Sequence, residues 1–106
     1  MILDTCFLID LLRKNKNAII KLQEITADKE QLFITSLTIY ELFRGIKKDE
    51  INNKNRIKAI LHGQLLLHFD ALAAEIAGEI DSALYQNGVP IGSVDCMIAA
   101  IALIHN

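Results

Sequence analysis

The sequence has a single proline, no tryptophan and five glycines in 106 residues, so few points along it are punctuated by turn residues. That scarcity argues against a jointed, loop-rich architecture. With 52% hydrophobic and 23% charged residues it does not have the composition of a disordered chain either. Only two cysteines occur, Cys6 and Cys96, in no C-x-x-C pair and at no metal-ligand spacing from His62, His68 or His105. A zinc site and a disulfide framework are thereby excluded as expectations. The longest apolar run, Cys96 to Ile104, is nine residues. A membrane-spanning helix needs about 20. No basic stretch precedes an apolar start, so no signal peptide is expected and a cytoplasmic location is. No G-x-x-x-x-G-K-[ST] loop, Ser-His-Asp set or Cys-His pair offers itself for catalysis. The length accommodates one domain, residues 1–106.

One absence is local. No lysine or arginine follows Lys58. Eleven bases and eight acids give residues 1–58 a charge of +3, and five acids give the remainder −5. The overall −2 hides that division. Arg44, Lys47, Lys48, Lys54, Arg56 and Lys58 face only Asp49 and Glu50 in their own stretch. Such a segment can meet phosphates, because local field governs encounter with nucleic acid. A solvated helical face is the plainer reading of the same charges.

Short apolar runs alternate with longer helical patterns. Met1 to Asp4 reads as a brief strand, with Thr5 as a candidate helix cap. Phe7, Leu8, Leu11 and Leu12 recur at helical spacing, and Ile19, Ile20 and Leu22 suggest a second helix. Leu32 to Thr35 reads as a buried strand, and from Leu37 the period turns helical, with Leu42, Phe43 and Ile46 on one face. Ile57, Ile60 and Leu61 mark a helix ending near Gly63. Leu65 to Phe69 is a third strand. Asp70 then opens a helix with Ala73, Ile76, Ala77, Ile80 and Leu84 on one stripe and Glu75, Glu79 and Asp81 off it. Asn87-Gly88 stops that helix and Pro90 follows. Ser93 begins a last helix so apolar that burial is expected. Strand-helix alternation with apolar strands predicts an α/β fold with a small parallel sheet covered on both faces.

In such sheets, sites gather beyond the strand C-termini. Asp4 ends the first strand, Glu41 lies in the helix after the second, and Asp95 lies in the first turn of the last helix. Each admits a purely structural role. Asp4 fits an N-cap. Thr38-x-x-Glu41 fits a capping box. Asp95 fits the positive end of a helix dipole. Together they suggest more, since mutual repulsion makes gathering three carboxylates costly. Helix N-termini offset part of that cost, and a divalent cation offsets far more. Oxygen-only ligands select a hard ion, Mg²⁺ or Mn²⁺. An ion so held prepares water to attack a phosphodiester.

The segments carrying these acids resemble a known family. Ile2-Leu3-Asp4-Thr5-Cys6-Phe7-Leu8-Ile9 resembles the opening "LDT-x-x-L-I" of PIN domains. Thr38-x-x-Glu41-Leu42-x-x-Gly45 resembles their second motif, and Asp95-x-x-Ile98-Ala99-Ala100 their third, "D-x-x-I-A-A". The likeness is greatest to the VapC-type toxin branch and spans the chain in order. It implies a three-layer α/β/α PIN fold and a metal-dependent endoribonuclease acting on RNA. It further implies a homodimer and neutralisation by a VapB-like antitoxin. Carried over by position, Asp4, Glu41 and Asp95 are the acids around Mg²⁺ or Mn²⁺. Arg44, Lys47 and Lys48 are candidate phosphate contacts. Cys6 stands where the family often has Ser or Asn, beside Asp4. PIN domains of this type usually continue into a further strand and a fourth acid, whereas this sequence stops at Asn106. A missing final strand is therefore expected, and the alternative function is a catalytically impaired remnant that dimerises and binds antitoxin or RNA.

Overall fold

The computed structural model describes residues 1–45 and 51–105, with the side chains of residues 51–53 left aside. Helix dominates an α/β arrangement with a small parallel sheet. The chain divides into two compact units, Met1–Ile34 with Thr38–Leu66, and Thr35–Leu37 with the segment from Leu67 onward.

The first unit opens with a bridge rather than a strand. Ile2 pairs in parallel with Phe33: the Phe33 N–H donates to Met1 O at 2.8 Å and the Leu3 N–H to Phe33 O at 2.9 Å. Pairing stops there because Asp4 already caps α1 (Thr5–Leu12). Asp4 has extended backbone angles, and its Oδ1 accepts the Phe7 N–H at 2.7 Å. The cap is thus Asp4, not Thr5, which is the first helical residue. Leu8 is buried outright, with Phe7, Leu11 and Leu12 packed around it. Arg13 and Lys14 end the helix, Lys14 in the left-handed region at φ 57°. Asn15 caps α2 (Lys16–Ala27) through an Ala18 N–H bond of 3.1 Å. Its inner face is Ala18, Leu22 and Ile25, whereas Ile19 and Ile20 point to solvent. The apolar pair that suggested this helix is therefore on its outer side.

Strand β1 (Phe33–Thr35) pairs with β2 (Leu65–Leu67). The strands are shorter than the apolar runs that predicted them. The Phe69 N–H, for example, donates to Ser36 Oγ at 3.2 Å. Leu65 and Leu66 stay 45% and 41% exposed, so β2 lacks the full cover expected of its sequence. Helix α3 (Ser36–Arg44) brings Leu42 onto the core of Leu3, Leu8, Ile34 and Ile57. Helix α4 (Ile51–Leu61) contributes Ile57 to that core. The Arg56 guanidinium donates to the Leu12 carbonyl, placing positive charge on the C-terminal end of α1. Gly63, at φ 85°, carries the left-handed turn that ends α4.

In the second unit, Asp70 caps α5 (Ala71–Gln86) through an Ala73 N–H bond of 2.9 Å. The expected stripe holds: Ala73 and Ala77 are buried, and Ile76, Ile80 and Leu84 half-buried. Gly88, at φ 73°, lets its N–H reach Tyr85 O and the Val89 N–H reach Leu84 O. That is a Schellman termination, which a side chain at Gly88 would strain. Helix α6 (Ser93–Ile104) packs on α5. Cys96, Ala100 and Ile101 are its buried face, while Leu103 is 62% exposed, so burial is one-sided rather than complete. Among the described residues no helix is long and apolar enough to cross a membrane.

Candidate carboxylate site

Asp4 sits where the Ile2 bridge gives way to α1, and its side chain is exposed. The cap bond to the Phe7 N–H uses Oδ1, so the structural role and an outward-facing oxygen coexist on one carboxylate. Glu41 is the sixth residue of α3 and half-buried. A capping box would need Thr38 as the N-cap, but α3 already begins at Ser36, so Thr38 lies inside the helix. Glu41 turns elsewhere. Its Oε1 accepts the Thr5 hydroxyl at 2.7 Å, across 36 residues of sequence. Thr5 is peptide-bonded to Asp4, so one hydroxyl ties the second-motif acid to the first-motif strand end. The first unit thus brings Asp4, Thr5 and Glu41 together.

Asp95 belongs to the second unit, exposed in the first turn of α6. Its Oδ2 lies 3.5 Å from where a Cβ on Gly92 would stand, so it folds back over the helix N-terminus. Gly92 caps α6 without a side-chain bond. Close by, Ser93 Oγ donates to Asp81 Oδ2 at 3.3 Å. Burial pushes the Cys96 thiol above its ordinary value, and the charges of Asp81 and Asp95 push it further. Asp81, set off the apolar stripe by its sequence position, is half-buried and engaged at the start of α6. Sequence reasoning missed both the Thr5 bond to Glu41 and the Asp81 bond at the start of α6.

Within neither unit do three metal-ligating side chains form a ready-made cage among the described residues. Nor, among those residues, does a lysine or arginine pair with Asp4, Glu41 or Asp95. Carboxylates without a cationic partner, one fixed by a hydroxyl and one by a backbone N–H, are a donor set that suits a hard divalent ion. Arg44 is exposed at the end of α3, with Cζ 5.6 Å over the Tyr40 ring. Lys47 and Lys48 lie outside the described residues. Cys6 is exposed and free.

The family model for the PIN domain matches residues 1–106. The chain belongs to the PIN domain family. It is 32% identical over 93 residues to the tRNA(fMet)-specific endonuclease VapC of Shigella flexneri, covering 84% of this chain and 68% of that protein. The VapBC complex of Salmonella typhimurium, solved bound to DNA, superposes with a TM-score of 0.80 at 30% identity. That likeness covers 95% of this chain and 76% of the other. The VapBC2 structure from Rickettsia felis, bound to a fragment of its promoter, superposes at 0.83 and 24% identity. It covers 95% of this chain and 77% of that one and speaks for the fold. The three acidic motifs thus fall in a PIN domain of the VapC type.

Proposed function

We propose that this PIN domain is a metal-dependent endoribonuclease of the VapC type, hydrolysing RNA phosphodiesters. The observation that carries the reading is the Thr5–Glu41 bond, which ties the second-motif acid to the residue that follows Asp4, with no lysine or arginine paired to either acid among the described residues. Asp4 and Asp95 would hold the cation, Mg²⁺ or Mn²⁺, directly or through water, and Glu41 would complete the acidic cluster and position water. When bound, that ion supplies two things: acidification of a water and neutralisation of charge on the phosphate.

The rest falls to the chain's own groups. The Phe7 N–H holds Asp4 Oδ1 and so fixes the rotamer of that carboxylate. Thr5 donates to Glu41 Oε1, leaving Oε2 as the oxygen that accepts a proton from, and orients, the attacking water. Asp95 lies in the first turn of α6, with its Oδ2 over the Gly92 backbone. Arg44, with Lys47 and Lys48, contacts substrate phosphates.

The name of the Shigella flexneri relative supports tRNA as the first substrate to try, and the VapBC complexes support a VapB-like antitoxin as partner. A homodimer and a cytoplasmic location belong to the same reading. The test is cleavage of tRNA(fMet) with Mn²⁺ or Mg²⁺, beside a chelated control and Asp4→Asn. Cleavage that needs both the metal and Asp4 is expected. Cleavage that survives both controls would sink the mechanism, and RNA binding without any cleavage would favour the impaired remnant.

A further inference from the structure

Helix α3 carries Glu41 between two exposed side chains. Tyr40, its immediate neighbour, is 53% exposed, and Arg44, one turn on, lays its guanidinium over the ring with Cζ 5.6 Å from the centroid. An aromatic–arginine pair at this spacing stabilises a helix only weakly, and Arg44 also suits the C-terminal dipole of α3. The pair accounts for an aromatic ring on this face, but not for its place next in sequence to Glu41, the carboxylate that Thr5 orients. With Arg44 over one face of the ring, the pair offers the other π-face and, beside it, a fork of N–H donors. A base stacks on the first and a phosphate meets the second. Charge favours a polyanion over a protein here. Residues 1–58 carry +3, and Lys54 and Lys58 are exposed on α4 of the same unit.

We propose that Tyr40 and Arg44 form a platform that seats one nucleotide of a single-stranded RNA segment beside Asp4 and Glu41, Tyr40 by stacking on its base and Arg44 by binding its phosphate. The proposal rests on the ribonuclease reading above and adds the residues that position the strand.

Two readouts on the full chain test it. The first is fluorescence anisotropy with a labelled oligoadenylate in chelator, where nothing is cleaved. The second is steady-state cleavage of tRNA(fMet) with Mn²⁺. Tyr40→Ala is expected to weaken oligoadenylate binding about tenfold and to raise KM more than it lowers kcat. Tyr40→Phe keeps the ring and is expected to stay near wild type. Arg44→Ala is expected to weaken binding and to reduce the salt slope by about one. Melting temperatures of all three should stay near wild type, since both side chains are exposed. Unchanged binding and KM in Tyr40→Ala, with an active wild type, overturns the platform and leaves the ribonuclease reading standing. A Tyr40→Phe variant as weak as Tyr40→Ala overturns stacking in favour of the hydroxyl. A protein partner lost from Tyr40→Ala while RNA affinity is kept assigns the pair to a protein interface instead. A wild type that neither binds nor cleaves RNA overturns both proposals together.

Discussion

Replacing Thr5 by Val removes one hydroxyl and little else. Both side chains are β-branched and nearly equal in volume, so α1 should keep its first turn. What is lost is a 2.7 Å O–H···O⁻ bond to Glu41 in a half-buried setting. A hydrogen bond to a charged group contributes about 1.5–3 kcal/mol net, and water reaching Glu41 replaces part of it. A stability loss of about 1 kcal/mol follows, or a fall in Tm of about 4–8 °C for a domain near this size. The effect on cleavage should be larger than that loss implies, because Glu41 is then free to leave its rotamer. Removing a group that orients a metal-site ligand typically costs about 10–100-fold in metal affinity or activity. Thr5→Ser, which keeps the hydroxyl, should stay within a few-fold of wild type. The assay is thermal melting together with kcat/KM on tRNA(fMet), arranged as a double-mutant cycle with Glu41→Gln. Strictly additive losses, or a Thr5→Val variant as active as Thr5→Ser, would refute the coupling between the two motifs.

Other outcomes follow from the packing. Leu8→Ala leaves a hole in a fully buried position and should cost about 2–5 kcal/mol, read by denaturant unfolding. Lys14→Gly relieves a left-handed backbone at φ 57° and should raise stability by up to about 1 kcal/mol, with the Tm rising accordingly. Of the two thiols, exposed Cys6 should react with a disulfide reagent at once at neutral pH, whereas buried Cys96 should react only after denaturation. Burial and the charges of Asp81 and Asp95 hold the Cys96 thiol in its unreactive protonated form. Two equivalents reacting at once would contradict the packing of α6 on α5.

Local signals reported local structure well. Asp70, the Ala73–Leu84 stripe and Asn87-Gly88 each act through residues a few positions away, and α5 begins, faces inward and ends where they indicate. The apolar run at Leu32–Thr35 likewise forms β1. Tertiary choices were less readable. Ile19 and Ile20 are the more hydrophobic pair in α2, yet the smaller Ala18 faces the core with Leu22 and Ile25. Spacing, not hydrophobicity, selected the inner face. Leu65 and Leu66 read as buried from composition alone, but cover is supplied by elements distant in sequence. The acids followed the same division. Motif order named Asp4, Glu41 and Asp95, and local rules offered a cap, a capping box and a dipole for them. Asp4 does cap its helix. Glu41 instead binds Thr5, 36 residues away, a contact that no pattern within α3 could announce. Asp81 escaped notice because a charged residue beside an apolar stripe is ordinarily solvated, and only the start of α6 gives it a partner.

The proposal that Asp4 and Asp95 serve one cation is tested most directly by calorimetric titration of the full chain with Mn²⁺, for wild type, Asp4→Asn, Asp95→Asn and the double variant. One carboxylate site predicts saturable binding by wild type, a large loss in each single variant, and little further loss in the double. Undiminished Mn²⁺ binding in either single variant, or none in a folded wild type, would contradict it.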